Sequence, residues 1–115
     1  MLRQNISIYT PHNFVGSSFN FRIDSRFVPD EIIVKNLYME LAVGADEIYK
    51  LESNIFPDDR ILGFMGNGIT MQQHPVVFGC GRPLSGIYTF EISNLDNVKA
   101  NNEMDICFQL ELIKH

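Results

Sequence analysis

Cys80 sits between Gly79 and Gly81, and three histidines, His12, His74 and His115, are scattered along the chain. A cysteine next to a base can act as a nucleophile, and flanking glycines leave backbone N–H groups free to face an oxyanion. The same Gly79-Cys80-Gly81-Arg82-Pro83 stretch also reads as a tight turn, since glycine reaches backbone geometry that other residues resist. The two glycines make the turn the preferred reading. A metal site needs ligands converging at fixed spacing, such as His-x-His or paired cysteines, and neither is present. His12 falls in a loop, His74 precedes Pro75, and His115 is the last residue given. A cupin-type centre would need a close histidine pair with a carboxylate, which is also lacking.

Other constellations read as turns and loops. Gly63-Phe64-Met65-Gly66-Asn67-Gly68 looks like a phosphate loop but has no Lys-Ser/Thr ending and no helix after it. Asp58 and Asp59 are adjacent, so in extended chain their carboxylates point apart instead of flanking one bond. Asp96, Asn97, Asn101, Asn102, Glu103 and Asp105 offer calcium-like oxygens, but their spacing matches no EF-hand and suits a solvated loop. Cys107 lies on the polar face of a strand, and nothing marks it as reactive. The expectation is therefore no catalytic residue, no cofactor-binding residue, no metal ligand and no enzyme activity.

Composition narrows the classes further. The 115 residues are 45% hydrophobic, enough for one domain with a real core. A net charge of -5, with the basic residues scattered, argues against a nucleic-acid groove. No apolar run approaches the roughly 20 residues that span a bilayer, and the N-terminus shows no secretion-signal core. Cys80 and Cys107 are expected as free thiols. The sequon at Asn5-Ile6-Ser7 is read as chance.

The elements that would position any site are strands. Asp105 to Ile113 alternates without a break: Ile106, Phe108, Leu110 and Leu112 turn one way, and Asp105, Cys107, Gln109 and Glu111 turn the other. Phe19, Phe21 and Ile23 alternate in the same way, as do Leu51 with its neighbours and Tyr88, Phe90 and Ile92. In Glu31 to Val43 the apolar phase slips, with Ile32 and Val34 at even positions and Leu37, Met39 and Leu41 at odd ones. A period of two cannot slip without a β-bulge or a bend, here placed near Lys35-Asn36, where the strand turns a corner or serves two sheets. That run and Tyr49 to Ile55 are expected to form a hairpin across Gly44-Ala45-Asp46. Val76-Val77-Phe78 reads as a buried strand. The stretch Phe56 to Pro75 reads as a long connection around the short apolar run Ile61-Leu62-Gly63-Phe64, and Asn94 to Met104 as a polar, Asn-rich loop leading into the final strand. The spacing predicts an all-β fold: an antiparallel β-sandwich of jelly-roll type, with about eight strands in a single domain over residues 1–115. Phe19, Phe21, Leu51, Tyr88, Phe90, Phe108 and Leu110 should be core. Phe14, Phe27, Tyr38 and Phe56 find no place in it and, with Met39, Met65 and Met71, could enlarge a sticky surface.

Three stretches carry a family likeness: Tyr49-Lys50-Leu51-Glu52-Ser53, the run from Gly81-Arg82-Pro83 to Phe90-Glu91-Ile92, and Cys107 to Ile113. Their rhythm resembles single jelly-roll capsid or minor capsid proteins of icosahedral DNA viruses. The resemblance implies a structural protein of the virion, assembled in host cytoplasm, acting through protein-protein contacts as an oligomer or part of a larger assembly. It transfers no functional residue. The chain is shorter than typical jelly-roll capsid subunits and lacks their basic N-terminal arm. A small ligand-binding module, lectin-like or cupin-like, is the alternative.

Overall fold

The computed structural model describes the backbone of residues 1–41, 48–56, 61–65, 68–72 and 75–115, and their side chains except at 41, 61–65, 68–72 and 102. The described residues form β1 (Leu2–Tyr9), β2 (Val15–Gly16), β3 (Ser18–Asp24), β4 (Glu31–Leu41), β5 (Tyr49–Ser53), β6 (Ile61–Met65), β7 (Gly68–Gln72), β8 (Val76–Gly79), β9 (Ser85–Asn94) and β10 (Asn102–Lys114), and no helix. All pairing is antiparallel, in two sheets. The larger runs β1-β10-β4-β7, and the smaller runs β3-β9-β5-β6. Because β2 continues the line of β1 beside β10, and β7 and β8 lie end to end beside β4, the segments occupy eight strand positions. The expected all-β sandwich is present.

Alternation produces the core. Along β10, Met104, Ile106, Phe108, Leu110 and Leu112 are buried, and along β9 so are Tyr88, Phe90 and Ile92. The sheets meet ring to ring: Phe90 and Phe108 stand edge to face with centroids 4.3 Å apart. Phe21 stacks on Phe90 at 4.4 Å and meets the Phe108 ring edge-on at 6.3 Å. Of the seven expected core residues, six are buried; Phe21 is half-buried and packs against the cluster.

The phase slip in β4 is a bulge. Gln109 pairs with Asn36 and Leu110 with Val34, so Lys35 is the extra residue. Val34 and Leu37 both stay in the core, while Lys35 and Asn36 are both exposed. β8 pairs with Glu31 to Val34 and β7 with Leu37 to Leu41, so the bulge lies where the neighbour of β4 changes. The strand keeps to one sheet throughout and does not serve two.

Several expectations are corrected. β4 and β5 form no hairpin, because they lie in different sheets; closeness in sequence does not say where a chain crosses the sandwich. Val76 and Val77 are exposed and only Phe78 is buried, because β8 is an edge strand. The stretch from Phe56 to Pro75 carries β6 and β7, and the last strand begins at Asn102, three residues before the alternation becomes clean. Phe56 is buried against Phe78 at 4.1 Å and Met39 is buried, so these two supply no sticky surface, while Phe14 and Phe27 are half-buried and pack on the core. Tyr38 is half-buried on the outer face. The turn expected at Gly44-Ala45-Asp46 and the Asp58-Asp59 pair lie outside the described residues, as do the side chains of Met65 and Met71.

Phe90→Ala and Phe108→Ala should each cost about 3–5 kcal/mol in denaturant unfolding, through lost burial and a residual cavity. Since the rings touch, the double variant should lose less than the sum of the two.

Candidate functional site

The Cys80 segment is a turn whose donors are already engaged. Cys80 N–H donates to the Asp30 carbonyl and Gly81 N–H to the Pro29 carbonyl, each at 2.8 Å. Gly81 has a φ of 73°, the left-handed region that favours glycine. The thiol itself donates to the Arg82 carbonyl at 3.3 Å. Those two N–H groups therefore close a loop and are not turned toward an oxyanion. Both cysteines are free thiols.

The two described histidines, His12 and His115, do not converge: one follows β1 and the other stands beside its start. His115 pairs with Glu31, and His74 lies outside the described residues. Among the described residues no three His, Cys, Asp or Glu side chains group as metal ligands do. In the Asn-rich connection, the Asn94 side chain accepts from the N–H groups of Asp96 and Val98, both at 2.9 Å, and the Asn97 oxygen accepts from Lys50 at 2.6 Å. These oxygens hold a turn together. No described helix is long and apolar enough to cross a membrane.

Two polar surfaces stand out, one on each sheet. The first is an open cleft of about 310 Å³ on the smaller sheet, lined by Glu52, Ser53, Asn54, Thr89 and Glu91. It forms where β5 leaves β9. The last pair of that ladder is Ser53 with Phe90. Beyond it the Asn54 side chain accepts from Thr89 N–H at 2.9 Å, and Ser53 Oγ donates to the Thr89 carbonyl at 3.1 Å. The Thr89 hydroxyl meets Asn20 Oδ1 at 2.7 Å. Glu52 and Glu91 stand directly opposite one another, with Lys50 3.2 Å from Glu52 and Lys99 3.7 Å from Glu91. Two carboxylates beside hydroxyl and amide groups can accept hydrogen bonds from a polyol or hold a cation loosely.

The second surface centres on Glu111, on the outer face of β10 and yet buried. Its carboxylate accepts from Arg3 Nη1 at 3.1 Å and pairs with Lys35 Nζ at 2.9 Å. The bulge makes this possible. It turns two successive residues outward, so Lys35 reaches Glu111 while Asn36 donates to Gln109 at 2.7 Å. The Lys35 hydrogen bond, with the charges of Lys35 and Arg3, holds the Glu111 carboxyl below the ordinary glutamate range, although burial pushes the other way. Further along this face, the Tyr38 hydroxyl donates to Glu40 at 2.6 Å, and that bond, with burial and the charges of Glu40 and Asp105, holds the phenol above its ordinary range.

No protein-family model matches the chain, and no curated protein matches it in sequence. Solved structures do match its fold. VP2 in a subviral particle of infectious bursal disease virus aligns at TM-score 0.54 and 9% identity, over 96% of this chain and 33% of that one. The T13 particle of the same virus aligns at 0.52 and 12% identity, over 95% and 30%. The Drosophila NLP-core, whose structure bears on pentamer formation and histone binding, aligns at TM-score 0.47 and 13% identity over 98% of both chains. The chain thus spans about a third of these viral chains, and what the likeness shows is a shared β-sandwich fold.

Glu111 gives a pH dependence of fixed sign. Its folded-state pKa lies below its unfolded one. The stabilisation is therefore complete above the ordinary glutamate range and is lost as pH falls through that range to the folded value. Between about pH 7 and pH 3 the melting temperature of Glu111→Gln should fall less than that of the wild type. Parallel pH profiles would remove Glu111 from the account.

Proposed function

We propose that the chain is a non-enzymatic structural subunit of a viral capsid or similar assembly, working through protein-protein contacts, with residues 1–115 forming one jelly-roll domain. The observation that carries this is the strand order. Counting β7 with β8 and β1 with β2, two sheets of four positions are filled by a chain that crosses between them at every connection except β5 to β6. We read this as the order of a double-sheet jelly roll, an architecture used by capsid domains. The fold likeness to VP2 supports the same reading. So do the exposed apolar side chains on the two edges of the larger sheet, Leu2 and Tyr9 on β1, Val15 on β2, and Val76 and Val77 on β8. Apolar surface placed there suits contact with other protein. A net charge of -5, with carboxylates on both outer faces, fits a protein partner better than a nucleic acid. The place of work is then the virion.

One observation favours a different class, a small ligand-binding module. The cleft over Ser53 and Thr89 offers hydrogen-bonding groups of the kind a sugar would use. The two readings separate by sedimentation of the chain, alone and with particle fractions from its source. A structural subunit should co-sediment with such particles, whether or not it associates on its own. A strictly monomeric chain that sediments with nothing, yet binds a sugar on a glycan array, would give the function to the cleft. Elemental analysis of protein purified without chelators should find no zinc or iron at one per chain, and finding one would revive a cupin-like site.

A further inference from the structure

We propose that the free edge of β1 pairs with β1 of a second copy of this chain, antiparallel about a two-fold axis at Ile6, so that two larger sheets become one. This rests on the subunit reading and names the surface through which copies meet.

The backbone of β1 shows which groups are free. Thr10 N–H donates to the Ile106 carbonyl at 2.9 Å, one step beyond the Tyr9 and Cys107 pair. Hydrogen-bonded pairs alternate along an antiparallel ladder. The even residues Leu2, Gln4, Ile6 and Ile8 therefore turn their N–H and C=O groups toward β10. Arg3, Asn5, Ser7 and Tyr9 turn theirs outward, where β1 ends the sheet.

Among the described residues nothing guards this edge, whereas the β3 edge and the edge opposite β1 are guarded. Edge strands are kept from pairing by proline, lysine, bulges, short length or covering side chains. Residues 2 to 9 run in unbroken register beside β10, with no proline or lysine and with one charge, Arg3, already paired to Glu111. On the β3 edge, Gln4 Nε2 donates to the Asp24 carbonyl and Gln4 Oε1 accepts from Arg26 N–H, both at 2.9 Å, and Arg22 pairs with Asp24. The edge opposite β1 is split between β7 and β8, with Pro75 before β8.

The strand is complementary to itself. Centring the pair on Ile6 sets Asn5 opposite the partner's Ser7 and Arg3 opposite the partner's Tyr9. All the outward odd residues then fall in hydrogen-bonded pairs, giving about eight main-chain bonds. Arg3 and Tyr9 both project from the outer face, and Tyr9 is 67% exposed, so the guanidinium can lie against the partner's ring. The two Arg3 residues stay about 20 Å apart, six residues along the strand. The acidic residues of β4 lie two strands in from the seam, so the two β4 strands are separated by roughly 24 Å, beyond the screening length at physiological salt. A second copy thus satisfies the edge without opposing like charges.

Sedimentation equilibrium from about 10 to 200 µM should show the wild type passing from monomer to dimer, at an affinity ordinary for a modest interface. Ser7→Pro removes an N–H that β10 does not use, and proline is tolerated on an edge whose N–H faces solvent. It should remain folded, with a sharp melting transition, and stay monomeric over that range. Asn5→Lys with Ser7→Lys, which sets lysine against lysine, should do the same and decides the matter if the proline variant does not fold. In a Cys80→Ser, Cys107→Ser background, Ile6→Cys should cross-link to dimer under mild oxidation, because its own counterpart lies opposite. Ile8→Cys, set against the partner's Gln4, should not. A wild type that is monomeric throughout, a folded Ser7→Pro that dimerises as the wild type does, or cross-linking of Ile8→Cys in preference to Ile6→Cys would overturn β1 pairing. Co-sedimentation with particle fractions tests the subunit reading separately: Ser7→Pro or a monomeric wild type that still co-sediments leaves that reading standing, and a dimer that does not co-sediment overturns the reading alone.

Discussion

The contact between Phe90 and Phe108 is the point at which two independent sheets become one molecule. Each ring is fully buried on a strand with neighbours on both sides: β9 between β3 and β5, β10 between β1 and β4. A ring fixed in a central strand cannot relax without moving the ladders around it. The edge-to-face geometry, at 84°, lets the positive rim of one ring meet the negative face of the other. Phe21 and Phe19 extend the cluster toward the edge of the smaller sheet. A second ring pair, Phe56 with Phe78, closes the sandwich elsewhere. Any outward-facing site inherits its position from these contacts.

How much of this the sequence reveals follows from the range of each interaction. Alternation is local, so the inward residues of β3, β9 and β10 are legible without a partner strand. The bulge at Lys35 is legible too, because an inserted residue must shift the apolar phase by one. Sheet membership is not local. Nothing between Leu41 and Tyr49 says that the chain changes sheet, and so the run resembled a hairpin. Val76-Val77 shows the converse limit. An apolar run has the same letters whether a strand lies at the centre or the edge, and only the missing neighbour decides.

The polar surfaces were harder still. Glu111 occupies a wet position in the cleanest alternating strand, so pattern alone places it in water. Its partners stand 108 residues away at Arg3 and across the sheet at Lys35. One signal was available: a phase slip with a lysine at its centre marks a place where a cation is turned outward with an extra residue of reach. The cleft offered less, since Asn54 and Thr89 meet only because β5 stops pairing after Ser53. Cys80 is the opposite case. The sequence offered a nucleophile or a turn, and the bonds from Cys80 and Gly81 to Asp30 and Pro29 select the turn.

Charge placement explains why edges matter more than faces. On the outer face of the larger sheet Glu40 stands directly across from Asp105, and on that of the smaller sheet Glu52 stands across from Glu91. Like charges set opposite each other cost stability, so neither arrangement serves the isolated fold. Lys50 and Lys99 lighten one of them, and the other lies beside Tyr38, which donates to Glu40. Stacking two copies face to face would press such rows together away from water, where their repulsion grows. Side-by-side contact leaves both rows in solvent. An acidic face thus excludes one mode of self-association and leaves open the other. The unguarded backbone lies on the strand that the acidic rows do not reach.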